Sequence, residues 1–248
     1  MKDFLIALQF LTIIPLKINH IDEKKISNSM IYFPVVGLLL GLVLAGVNNL
    51  LYNLNFQQLS VNIILVISLI FLTGGLHLDG LADTADAFLS RRNKEEMLKI
   101  MHDSHIGVMG VLSLVSIVLL KIALLASLNM HLKTTSLLLM CILSRWALVL
   151  SIALFPYARQ EGKAKIFIQG INLKIFILST VITIICAIAA WRIKGLLILL
   201  ITLVCVYTTG KFINKKIGGI TGDTLGAINE LAEVIVLFGV CILQRISL

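Results

Sequence analysis

The sequence predicts an all-α fold, a polytopic integral membrane helical bundle of about seven transmembrane helices with an N-terminal interfacial segment. Three observations predict it. Of the 248 residues, 58% are hydrophobic and only 14% charged, with a mean hydropathy of +1.01. Several apolar runs reach the ~18–20 residues that a bilayer crossing needs. The basic residues also fall mainly on alternate connections, as the positive-inside rule requires. No linker interrupts the pattern, so residues 1–248 are expected to form one domain embedded in the lipid bilayer.

The opening stretch, MKDFLIALQFLTIIPLK, is apolar with a basic start, but no small-residue cleavage site follows it. It is expected to remain as a partly interfacial helix. The spans then read as 31–52, 61–82, 111–130, 136–155, 173–191, 195–213 and 225–243. In the first, Gly37 and Gly41 make a small-xxx-small pair suited to close helix packing. Between the second and third, residues 92–105 pattern as a surface helix. Met97, Ile100 and Met101 form its apolar side; Glu95, Lys99, His102 and Asp103 form its wet side. The four cysteines, Cys141, Cys186, Cys205 and Cys241, stand singly in apolar runs and read as buried small hydrophobes.

With the N-terminal flank placed in the cytoplasm, the basic clusters at 24–25, 91–99, 159–174 and 211–216 all lie inside. The far side holds only Lys133, Arg192, Lys194 and Arg245, while Lys121 and Arg145 lie within spans. The net charge of +8 is thus explained by loop topology, and no nucleic-acid partner is implied.

The chemistry concentrates in residues 73–88, TGGLHLDGLADTADAF. Asp79, Asp83 and Asp86 stand at i, i+4 and i+7, within a sector of roughly 60° on a helix. Three carboxylates on one face repel one another unless a cation sits among them, and Mg²⁺ is the hard, oxygen-seeking cation that brings phosphates with it. His77 falls on the other side of that helix, where a packed histidine and a substrate contact are equally consistent readings. Asp103, where the chain re-enters the membrane before Gly107, reads as a site residue; His102 and His105 lack zinc-ligand spacing. A second acidic stretch, TGDTLGAINELAE at 221–233, puts Asp223 and Glu230 on one face, with Asn229 and Glu233 on the adjoining one. Thr221 or Asp223 suits a helix cap. Glu230 and Glu233 lie inside an apolar span, where burial demands a cation or polar ligand. Arg145 needs a carboxylate or phosphate partner, and Arg159 is suited to clamping a phosphate.

GGLHLDGLADTADAF, KIMHDSHIG and TGDTLGAINELAE, in this order, resemble the cobalamin synthase (adenosylcobinamide-GDP ribazoletransferase) family over essentially the whole chain. The resemblance implies a Mg²⁺-dependent membrane transferase that joins adenosylcobinamide-GDP to α-ribazole, or its 5′-phosphate, and releases GMP. It carries Asp79, Asp83, Asp86, Asp103, Asp223 and Glu230 over as the site. Gly74, Gly75 and Gly80 would leave room for so large a substrate, and a prokaryotic inner-membrane location with the site facing the cytoplasm follows. His77, His102, Arg145, Arg159, Asn229 and Glu233 are the candidate substrate contacts. Two positions depart from the family pattern: His105 replaces the usual arginine after the Asp-Ser pair, and Ile13 stands in the T-R-[I/L]-P position. A homo-oligomer is left open. Two rivals stand beside this reading. CDP-alcohol phosphotransferases share the D-G-x-x-x-D-x-x-D flavour but need an Ala-Arg pair where this chain has Ala82-Asp83. A transporter would also carry intramembrane carboxylates, although near the midplane rather than at one face.

Overall fold

The computed structural model describes residues 2–18, 22–162 and 164–246; Lys163, within the basic 159–174 stretch, lies outside the described residues. Among the described residues the architecture is helical, with one isolated β-bridge between Tyr157 and Ile220.

Helix α1 (Lys2–Leu11) buries Ile6, Ala7 and Leu11 and packs on α2 (Glu23–Ser29), whose N-terminus is capped by the Asp22 carboxylate accepting from the Lys25 amide. A single 3₁₀ turn leads into α3 (Phe33–Asn53), with Pro34 in its first turn, where the missing N–H has no intrahelical partner to lose. The long buried face of α3 lies along α8 (Lys133–Leu154), the most enclosed helix of the bundle. Gly37 and Gly41 make this contact, as their spacing suggested. A Cβ on Gly37 would overlap the Cys141 carbonyl, and one on Gly41 would sit 2.9 Å from the Leu138 Cα.

The expected 61–82 span is not one straight helix. It is α4 (Gln58–Thr73) followed by α5 (Leu76–Leu89), bent by 92°. Gly74 and Gly75 form the bend at φ +62° and +69°, left-handed backbone that glycine adopts without a Cβ penalty. The expected surface helix is shorter than residues 92–105. It is α6 (Lys94–Ile100), opened by an Asn93–Glu96 capping box. Met97 and Met101 are buried, and Glu95, Lys99, His102 and Asp103 are exposed, as patterned.

Helices α7 (Val108–Ala126), α9 (Lys165–Gly170), α10 (Leu173–Ile217) and α11 (Gly222–Leu243) complete the chain. The expected fifth and sixth spans form the single 45-residue element α10, broken by non-helical backbone at Trp191 and Arg192. The Ala187 carbonyl lies against Gly195, so the chain doubles back there. Among the described residues, five helices are long and apolar enough to cross a membrane, or six with the bent pair taken as one span. That measure counts the 45-residue α10 once although the chain doubles back within it, so it does not by itself confirm the expected count of seven. Only Cys141 is fully buried; Cys186, Cys205 and Cys241 are half-buried, since apolar positions on a membrane helix can face lipid instead of protein.

One end of the bundle gathers the 127–129 turn, Lys194 and the 243–246 segment. Lys194 Nζ donates to the carbonyls of Leu243 and Ile246, and the Gln244 side chain bridges Ser127 and Asn129. The opposite end holds the 73–106 region and the start of α11. Gly37→Ala is expected to destabilise the protein by about 1–3 kcal/mol through overpacking against α8. Gly46→Ala, where an added Cβ meets nothing, is the control. Thermal unfolding in detergent should show the Gly37 variant alone with a lowered midpoint.

Candidate active site

The site is built where α5 crosses α11 with their backbones in contact. A Cβ on Gly80 would stand 2.6 Å from the Asp223 carbonyl oxygen, and one on Gly226 would stand 2.9 Å from the His77 carbonyl oxygen. This approach sets Asp79 and Asp83 of α5 beside Asp223 in the first turn of α11. Thr221 is the cap: its hydroxyl accepts from the Thr224 amide, and the Thr224 hydroxyl accepts from the Thr221 amide. The Asp223 carboxylate is thereby left for Arg159, 2.7 Å away. Arg159 is held there by a short clip in which the Ala158 amide donates to Ile220 and the Ile220 amide donates to Pro156.

These residues line a cavity of about 370 Å³ whose polar wall is Asp79, Asp83, His102, Asp103, Ser104, Arg159 and Asp223. The charge of Asp83 is opposed by those of Asp79, Asp223 and Asp86, and favoured by Arg159. A second cavity, about 580 Å³, adjoins the first and shares Asp79, Ala82 and Ile106 with it; Gly74 and Gly75 line this one. On the loop at the cavity rim, His105 Nδ1 donates to Asp103 Oδ1 at 2.6 Å. That hydrogen bond, with one from the His105 amide, lowers the Asp103 pKa, and the carboxylate in turn raises that of His105.

Other candidates lie elsewhere. The Asp86 oxygens accept from the Gly107 and Gly110 amides at 2.7 and 2.8 Å, so this carboxylate sits on the N-terminus of α7 and does not line either cavity. Glu230 lies seven residues beyond Asp223, about 10 Å further along α11, and meets Lys121 Nζ at 2.6 Å. Glu233 meets both Lys121 and Arg145, the latter at 2.6 Å, and accepts from the Asn229 amide group. His77 is buried beside this network and its Nδ1 has no hydrogen-bond partner among the described residues. Glu230, Glu233, Asn229, Arg145 and His77 thus stand below the cavity rather than in it. The cations that the acidic residues required are Lys121 and Arg145, two against two. Sequence reasoning left Lys121 unassigned, although a lysine within an apolar run is itself a signal that a partner exists.

Among the described residues, no group of three or more histidine, cysteine, aspartate or glutamate side chains could hold a metal ion as they stand. The donor chemistry of the cavity nevertheless fits Mg²⁺. That ion is typically held by one or two carboxylates, with waters and substrate phosphates completing its octahedron, and Asp79, Asp83 and Asp223 offer hard oxygens around one space.

The chain matches the family Cobalamin-5-phosphate synthase over residues 3–241. It belongs to that family. Relatives named adenosylcobinamide-GDP ribazoletransferase include one from Desulforamulus reducens, 37% identical over 98% of this chain and 97% of the relative. Another, from Caldanaerobacter subterraneus, is 39% identical over 95% of this chain and 96% of its own length, and one from Fusobacterium nucleatum is 37% identical over 96% of each. No solved structure matches. In this member of the cobalamin-5-phosphate synthase family, the acidic stretches of α5 and α11 meet at the cavity through Asp79, Asp83 and Asp223, while their deeper ends serve the packing of the bundle.

Lys121→Met should destabilise the fold by about 3–5 kcal/mol, because it strands buried carboxylates. Adding Glu230→Gln should recover much of that loss, since the Arg145–Glu233 pair then remains balanced; thermal unfolding of both variants measures it. The Asp103–His105 pair is complete only between the lowered Asp103 value and the raised His105 value. Acidification removes it by protonating the carboxylate, and alkalinisation removes the imidazolium charge. Asp103→Asn should return the His105 titration, followed by NMR of the ring protons, to the ordinary range near 6.5.

Proposed function

We infer that this chain is an adenosylcobinamide-GDP ribazoletransferase. It moves the adenosylcobinamide-phosphate group from adenosylcobinamide-GDP to α-ribazole, or to its 5′-phosphate, and releases GMP. The observation that carries the reading is the cavity at the α5–α11 crossing, where carboxylates from both acidic stretches and Arg159 surround one space in a chain of this family.

The acceptor hydroxyl forms a new bond to the phosphorus attached to the corrinoid's aminopropanol arm, the bond from that phosphorus to GMP breaks, and the hydroxyl proton passes to a base in the cavity. Asp79, Asp83 and Asp223 would hold Mg²⁺ together with the pyrophosphate; when bound, the ion neutralises charge that develops on the departing GMP. Arg159 orients a phosphoryl oxygen, exchanging its Asp223 partner for the more highly charged pyrophosphate. His102 and Asp103 stand on the same wall as candidate bases. The basic connections at this end of the bundle support a site turned to the cytoplasm, and the bacterial sources of the relatives support a prokaryotic inner membrane as its location.

The test is reconstitution. The purified protein in liposomes, given adenosylcobinamide-GDP, α-ribazole and Mg²⁺, should release GMP and a cobalamin product in equal amounts by mass spectrometry, and chelation should stop both. Asp83→Asn should lower turnover by about 10²-fold or more while leaving membrane insertion intact. Wild-type protein that makes neither product but consumes CDP-activated alcohols would replace this reading with the CDP-alcohol phosphotransferase.

A further inference from the structure

A transfer between two substrates needs two subsites that meet at the reacting atoms, and the structure holds two adjoining cavities of different chemistry. The first, at the α5–α11 crossing, carries Arg159 and four carboxylates. In the second, Asp79 is the only charged group among the described lining residues. Its walls are apolar side chains, the Gly74–Gly75 bend and the hydroxyl-bearing Thr12 and Thr73. Those hydroxyls already donate to backbone carbonyls one turn back, Thr12 to Leu8 and Thr73 to Leu69, so their donor protons are engaged. The mouth of this second cavity is apolar as well: Phe10, Leu76 and Ile106 line it and are exposed, and they continue into the exposed apolar start of α7 at Val108 and Met109.

We propose that this second cavity is the acceptor subsite, taking the neutral two-ring heterocycle of α-ribazole between Phe10 and Leu114, with its ribose turned toward Asp79. The inference rests on the transferase reading above. Three properties support it. A volume of about 580 Å³ lies in the range of pockets that enclose small molecules. A largely apolar wall with one carboxylate matches a flat heterocycle joined to a hydroxylated sugar, whereas a pyrophosphate would find no cation there. Asp79 and Ala82 belong to both cavities, so a sugar hydroxyl at Asp79 faces the phosphate held in the carboxylate and arginine cavity. The apolar mouth lets the heterocycle load from the membrane side while the charged nucleotide enters from water.

The experiment compares Michaelis constants for the two substrates. Leu114→Trp, which fills the second cavity, should raise the KM for α-ribazole about tenfold or more and leave that for adenosylcobinamide-GDP within about twofold. Phe10→Ala, which removes one wall, should act in the same direction. Arg159→Met should do the reverse, raising the KM for adenosylcobinamide-GDP alone. The unmoved constant in each preparation shows that the variant is folded. If Leu114→Trp and Phe10→Ala leave the α-ribazole constant unchanged, or raise that of adenosylcobinamide-GDP instead, the assignment is overturned. Wild-type protein without transferase activity would refute the function reading separately. Equilibrium binding of α-ribazole alone to wild type and Leu114→Trp then decides the subsite: weakened binding supports it, and equal or absent binding overturns it.

Discussion

The contact on which the site depends is the backbone approach of α5 to α11. Gly80 rests on the carbonyl of Asp223, and Gly226 rests on the carbonyl of His77. Helices normally pack with axes some 8–10 Å apart, and a side chain at either glycine would hold them further apart. Without this crossing, Asp79 and Asp83 would be separated from Asp223 and Arg159, and neither acidic stretch alone would wall a cavity. The bend at Gly74 and Gly75 serves the same end: it turns α5 out of the line of α4 so that its acidic face meets the start of α11.

Beneath the cavity, a different physics operates. Lys121, Arg145, Glu230 and Glu233 are all buried, and isolated charges in such a place would be costly. Pairing two cations from α7 and α8 with two carboxylates of α11 balances the set and ties three helices together at one depth. Asp86 does comparable work at the surface, where its carboxylate takes two amides at the N-terminus of α7. The acidic residues of this chain therefore divide by position. Those at the crossing face an open space suited to phosphate chemistry, and those further along each helix hold the scaffold that keeps the space open.

The two cavities extend that division to the substrates. One is rich in charge and carries a cation; the other is mostly apolar and opens among exposed apolar side chains. A reaction that joins a charged nucleotide-activated group to an acceptor bearing a neutral heterocycle is served by such a pair, and Asp79 stands where they meet.

The sequence by itself determined the helical membrane architecture, a close helix contact at Gly37 and Gly41 and the acidic stretches proposed as the site, because hydropathy, glycine spacing and charge in an apolar setting are written in local order; that α8 is the partner of those glycines came from the tertiary structure. It also marked Asp223, Asp103 and Arg159, each beside a span boundary. It did not separate Asp79 and Asp83 from Asp86, since a shared helical face says nothing about which neighbour each turn of that face will meet. For the same reason it grouped Glu230 with Asp223, although only their long-range partners distinguish them. Lys121 and Glu230 are 109 residues apart in the chain, and no periodicity links them. Phe10 and Leu114 carried no signal at all, being apolar residues within apolar runs. Tertiary structure alone decided which of these apolar positions face lipid, which face protein and which enclose a space, because that choice is made by how helices cross.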